Sequence, residues 1–135
     1  MKIAALDIGD KWIGIALSDA LGITARPYNT ATNTTLDQAL TVLLSQETVT
    51  EIVVGYPKTM KGTESDQTKK VIATKEELQK KFPTIIWTLW DERLSSKRAD
   101  SLKRAKTKEE KKQSHALAAA FILMSYLDNK ALFRD

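Results

Sequence analysis

A chain of 135 residues, 42% hydrophobic and 28% charged, has the make-up of one globular domain, expected over residues 1–135 and large enough to bury a real core. With no cysteine and one histidine it excludes disulfides, thiolate metal sites and a zinc cluster of the usual kind, so any metal must be held mainly by oxygen. A formal charge of +4 and a pI near 9.3 suit a polyanionic partner; no apolar run is long enough for a bilayer, and the amino-terminal one is too short for a signal peptide, so the expected location is the cytoplasm.

Residues 2–8 alternate loosely between small and branched apolar side chains, Gly9-Asp10 interrupts them, and residues 12–17 resume the pattern. That predicts a strand, a tight turn and a second strand. Residues 26–32, polar and rich in threonine, suit a third strand at the sheet edge, where Pro27 has no ladder donor to lose. Within residues 35–45, Leu36, Ala39, Leu40, Leu43 and Leu44 fall at helical spacing behind Thr34 or Thr35 as a cap. The β-branched run of residues 51–55 reads as a central parallel strand. A polar loop follows, then a helix over residues 65–81 that turns Val71, Leu78 and Phe82 inward and stops at Pro83. Residues 84–90 predict another strand, residues 96–104 a short helix, and residues 109–128 a last helix packed through Leu117, Phe121, Ile122, Leu123 and Leu127. Three antiparallel strands followed by two parallel ones make a mixed five-stranded α/β sheet flanked by helices. In such sheets ligands collect beyond the carboxyl ends of the strands, where both Asp7 and Glu92 stand.

Asp7 ends five residues of apolar strand, so its carboxylate is either a turn-forming group or a metal ligand. Asp91-Glu92-Arg93 ends the fifth strand; successive residues point to opposite faces, so Asp91 and Glu92 cannot both meet one ion without a bend. By itself this block reads as a surface ion pair. His115 shares a helix face with Ala118, Ala119 and Ile122, and a lone histidine there is more often a hydrogen-bonded core residue than a ligand. If Asp7, Glu92 and His115 converge, they form an oxygen-rich site with one nitrogen, suited to Mg²⁺ or Mn²⁺ and to phosphodiester hydrolysis. Lys11, Lys58, Lys61, Arg93, Lys103, Arg104, Lys106, Lys108, Lys111 and Lys112 are candidate phosphate contacts, the alternative being a solvated surface interrupted by Glu109 and Glu110. The Gly55 to Thr63 loop lacks the lysine-threonine pair of a nucleotide-binding phosphate loop.

Read together, Asp7-Ile8-Gly9-Asp10-Lys11-Trp12-Ile13-Gly14-Ile15-Ala16, Ser18-Asp19, Val54-Gly55-Tyr56-Pro57, Met60-Lys61-Gly62-Thr63, Asp91-Glu92-Arg93-Leu94-Ser95-Ser96 and Ala118-Ala119-Ala120-Phe121-Ile122-Leu123 resemble the YqgF family, also called RuvX. The resemblance runs along nearly the whole chain. It implies an RNase H-like fold and a cytoplasmic nuclease dependent on Mg²⁺ or Mn²⁺, acting in Holliday junction resolution, in maturation of the 16S rRNA precursor, or in both. The implied partner is branched DNA or precursor rRNA, with no membrane, and the protein is a monomer or homodimer. Asp7 looks like the family's first-strand acid and Glu92 like its second. The third acid falls at the position of His115, and this departure removes a negative charge; Asp10, where the family has a small hydroxyl residue, adds a carboxylate expected to offset part of the loss. The departure also favours an alternative, a nucleic-acid-binding protein of the same fold with weak or no catalysis. An ATP-using enzyme of the actin-like type, suggested by Asp7-Ile8-Gly9, would need two such domains around a cleft.

Overall fold

The computed structural model describes residues 1–56, 66–91 and 108–132, except for the side chains of residues 108–112. Strands β1 (Lys2–Ile8), β2 (Trp12–Ser18) and β3 (Ala25–Thr32) run as a meander. Helix α1 (Leu36–Gln46), strand β4 (Val49–Tyr56), helix α2 (Asp66–Lys81) and strand β5 (Ile86–Asp91) follow, and helix α3 (Lys108–Leu132) is the last described element. The sheet order is β3-β2-β1-β4-β5, with β1–β2 and β2–β3 antiparallel and β1–β4 and β4–β5 parallel. This is the mixed five-stranded sheet expected from the sequence. The helix expected over residues 96–104 lies outside the described residues.

Strand alternation gives the sheet two different faces. Ala4, Leu6 and Ile8 of β1 join Ile13, Ile15 and Leu17 of β2, Ile52 and Val54 of β4 and Trp87 of β5 in a core covered by α1 and α2. The opposite face is paved with small residues: Ala5 pairs with Ala16 and Val53, and Asp7 pairs with Gly14 and Gly55. Onto it α3 sets a matching face of Ala119, Ala120, Ile122, Leu123 and Leu127. Small side chains on both surfaces let the helix backbone come close to the strands. At Gly14 the approach is tightest, because a Cβ built there would overlap the carbonyl of His115. A glycine inside an apolar strand is therefore what seats α3.

Two local expectations change. Leu117 is 37% exposed on the outside of α3, while its neighbours Ala116, Ala118, Ala119 and Ala120 are the buried ones. Thr35 holds the N-cap position of α1 but makes no side-chain capping bond; its Oγ1 accepts a hydrogen bond from the backbone N–H of Thr32 at 2.9 Å, tying the helix start to β3 instead. Pro27 does lie on an edge strand, and Pro83 follows a helix whose last N–H bond runs from Phe82 to the Leu78 carbonyl. No described helix is long and apolar enough to cross a membrane.

Candidate functional site

Asp7 is the second-last residue of β1, and its register partners explain its surroundings. Gly14 on one side and Gly55 on the other carry no side chain, so neither neighbouring strand fills the space beside the carboxylate at that row. Alternation turns Asp7 to the α3 face, where the helix buries it to 1% exposure. Because the backbone of α3 rests on Gly14 at His115, the imidazole arrives beside Asp7. Nδ1 of His115 lies 3.9 Å from Oδ2 of Asp7, with the histidine side chain 17% exposed. That separation is too long for a hydrogen bond. Nδ1 of His115 is buried and makes no hydrogen bond with a described residue.

The chain beyond Asp7 is fastened from the other side of the sheet. Gly9 N–H donates to the Trp12 carbonyl at 3.0 Å to close the hairpin, and a Cβ on Gly9 would stand 2.8 Å from that same oxygen. The side-chain amide of Gln67, in the first turn of α2, donates to the Ile8 carbonyl at 3.0 Å. Asn33 donates to the Asp10 carbonyl at 3.3 Å, and Lys70 of α2 lies 3.5 Å from the Asp10 carboxylate. Asp10 is thus an exposed group turned toward α2.

The remaining sequence candidates divide by position. Lys11 is exposed in the β1–β2 turn, its Nζ 5.4 Å from the centre of the Trp12 ring, a cation–π contact at the same rim as Asp7. Glu92, Arg93, Lys58, Lys61, Lys103, Arg104 and Lys106 lie outside the described residues. Lys108, Lys111 and Lys112 belong to the first turns of α3, in the turn next to His115 or just before it, and their side chains are likewise outside the described set. Asp91 pairs with Tyr56 and shares the parity of Trp87 and Leu89, which assigns it to the α2 face, whereas Trp90 has the parity of Asp7. Among the described residues no three His, Cys, Asp or Glu side chains converge; Asp7 and His115 make a pair.

Gly14, to which the sequence assigns no role of its own, and Gln67 shape this site. Gly14 fixes how close His115 comes to Asp7, and its signal is the break it makes in Ile13-Gly14-Ile15. Gln67 anchors the end of β1, and nothing in a polar helix start singles it out. Ser18-Asp19, by contrast, does structural work at the far rim. Ser18 Oγ accepts from the Ile3 N–H at 2.8 Å, and Asp19 Oδ1 accepts from the Ile23 and Thr24 N–H groups at 2.7 and 3.1 Å. Those backbone bonds, that from Ile23 foremost, hold the Asp19 carboxyl below its ordinary range.

The model of the RuvX family, described as Holliday junction resolvase, matches residues 1–129. Proteins of Lachnospira eligens and Desulforamulus reducens that carry the words pre-16S rRNA nuclease in their names are each 40% identical to this chain, covering 96% and 97% of it and 99% of their own lengths. Among solved structures, T. thermophilus RuvC in complex with a Holliday junction substrate superposes with a TM-score of 0.61 at 15% identity, over 98% of this chain and 97% of that one. Fowlpox virus resolvase in complex with Holliday junction DNA gives 0.56 at 11% identity, over 99% and 100%. At such identities these two likenesses concern the fold, and they bear out the RNase H-like sheet read from the sequence. With the family model spanning residues 1–129 and relatives 40% identical along nearly their full lengths, the chain belongs to the RuvX family.

Proposed function

We propose that this protein is a divalent-metal-dependent nuclease that hydrolyses phosphodiester bonds in structured nucleic acid, with Asp7, His115 and Glu92 as its metal ligands. The observation that carries this reading is the buried Asp7 carboxylate facing the buried Nδ1 of His115 at 3.9 Å, at the carboxyl ends of the parallel strands. Two ligand bonds of about 2.1 Å each span at most ~4.2 Å, so one small cation fits between these atoms. The donors fit Mg²⁺ or Mn²⁺, and the imidazole tilts the preference toward Mn²⁺. For Nδ1 to serve, the His115 proton must sit on Nε2. The α3-facing positions of β5 are Ile86, Thr88 and Trp90, and the next member of that series is Glu92.

When bound, the cation supplies charge stabilisation at the scissile phosphate and lowers the pKa of the attacking water. The protein's own groups do the rest. Asp7 contributes the negative charge that holds the ion; the alanine face of α3 closes the inner side of the site to solvent; Lys11 at the turn, with Lys108, Lys111 and Lys112 along the start of α3, neutralises backbone phosphates. The family model supports a four-way DNA junction as substrate, and the relatives at 40% identity support the 16S rRNA precursor. The expected compartment is the cytoplasm, where both substrates are found in bacteria.

The test is cleavage of a four-way DNA junction, linear duplex DNA and a 16S rRNA precursor fragment, each with Mg²⁺ and with Mn²⁺. Wild-type protein is expected to cut at least one branched or structured substrate, and Asp7→Asn to lower the rate by roughly a thousandfold, about 4 kcal/mol of transition-state stabilisation, while still binding it. One feature favours a second reading, a binding protein without catalysis: the imidazole of His115, where the resemblance to the family implies an acid. Retained binding with no cleavage under either metal would establish that reading and overturn the first.

A further inference from the structure

The α3 face of the sheet holds a second buried carboxylate. Glu51, near the start of β4, is 8% exposed, and its Oε2 accepts hydrogen bonds from the Tyr126 hydroxyl at 2.6 Å and the Thr88 hydroxyl at 2.7 Å. Nζ of Lys130 lies 3.7 Å from its Oε1 and 5.6 Å from the centre of the Tyr126 ring. Further along β5, the Trp90 indole N–H donates to the Ser125 hydroxyl at 3.2 Å, and the ring meets that of Tyr126 edge-on at 5.4 Å. These contacts tie α3 to the two parallel strands that it does not mainly cover, since the body of the helix lies across β1, β2 and β3. Burial, and after it the bond to Glu51, pushes the Tyr126 hydroxyl up to about 12, so it remains a donor across the physiological range.

The packing of α3 through Ala119, Ala120, Ile122, Leu123 and Leu127 is non-directional and does not by itself select one setting of the helix. A hydroxyl-to-carboxylate bond is directional and fixes one setting. His115 sits on this helix, three turns before Tyr126, and Glu92 is the residue that follows β5. We infer that Tyr126 is a positioning residue: its bond to Glu51 and its edge contact with Trp90 lock α3 against β5 and so set the spacing between His115 and the chain that leaves β5 at Asp91. This rests on the nuclease reading above.

The chain has no cysteine, so Leu117→Cys on α3 and Ile86→Cys on β5, both at exposed positions, accept a pair of spin labels in the full-length protein without competition. The parent is expected to give one narrow interlabel distance and Tyr126→Phe, which keeps the ring and removes the hydroxyl, a broadened or shifted one; Ser125→Ala should act in the same direction and more weakly. In Mn²⁺-supported cleavage by the unlabelled protein, Tyr126→Phe should lower kcat by roughly ten- to a hundredfold, as a misplaced catalytic group does, with KM unchanged. A distance distribution identical to the parent's in both variants overturns the proposal, and so does an altered distance with full kcat, which would make the bond merely structural. A wild-type protein that cleaves nothing counts against the nuclease reading instead, and the label distances then judge the helix lock by themselves.

Discussion

Asp7 and Glu51 are both buried carboxylates, on adjacent strands and on the same face of one sheet under the same helix, yet their surroundings differ. Glu51 is met by two hydroxyls and a lysine, all supplied by side chains long enough to reach it. Asp7 stands between two glycines and faces an imidazole nitrogen across 3.9 Å. The bonds to Glu51 tie strand to helix and so serve the fold; the 3.9 Å between Asp7 and the His115 nitrogen is a distance that an ion can span. Burial alone does not tell the two apart, whereas the ligating nitrogen opposite Asp7 does.

The largest expected effect falls on the element that creates the Asp7 environment. Gly14→Ala drives a Cβ into the His115 carbonyl, and the strand and helix backbones cannot both keep their places. Overpacking of this kind costs about 1–3 kcal/mol, read as a lower denaturant midpoint, and should abolish cleavage even under conditions where the variant remains folded. Full activity in a stably folded Gly14→Ala protein would break the account of how His115 is placed.

The next effect separates the two carboxylates directly. Glu51→Gln weakens two half-buried hydrogen bonds to hydroxyls and should lower stability by about 2 kcal/mol. Asp7→Asn should remove the stabilisation that Mn²⁺ lends the folded protein, which Glu51→Gln keeps. Chemical denaturation of both variants with and without Mn²⁺ checks the contrast; an equal gain from the ion would erase it.

How much of this could be read from the sequence depends on contrast between neighbouring residues. The β-branched run at residues 52–54 and the Leu spacing of residues 36–44 announce a central strand and an amphipathic helix unaided. Helix α3 is harder, since hydrophobicity favours Leu117 over Ala116 or Ala119, and the choice turns on a floor of Ala5, Gly14 and Ala16 contributed by other strands. Asp7 and His115 were each visible as candidates with ordinary alternatives, and what pairs them is the return of the chain over a distance of more than a hundred residues. Glu51 looked like the polar start of a strand. Its partners Thr88 and Tyr126 are 37 and 75 residues away, so no local pattern marks it as buried.

A smaller effect concerns pH. The Tyr126 hydroxyl, raised from 10.0 to about 12, favours the fold in its protonated form; that contribution is complete below pH 10 and is lost as pH rises through about 12. Phenolate absorbance of the folded protein should therefore include a step near pH 12, and that step should be missing in Tyr126→Phe. A step near 10 that Tyr126→Phe removes would contradict the Glu51 environment.

The account depends most on the rim of Asp7 and His115 holding a divalent ion, and titration of the protein with Mn²⁺ and with Mg²⁺ in the absence of nucleic acid tests this directly. Wild-type protein should bind Mn²⁺ more tightly than Mg²⁺, Asp7→Asn should lose most of the binding of both, and His115→Asp should gain affinity for Mg²⁺. Asp7→Asn binding both ions as tightly as the wild type, with His115→Asp equally without effect, would contradict it.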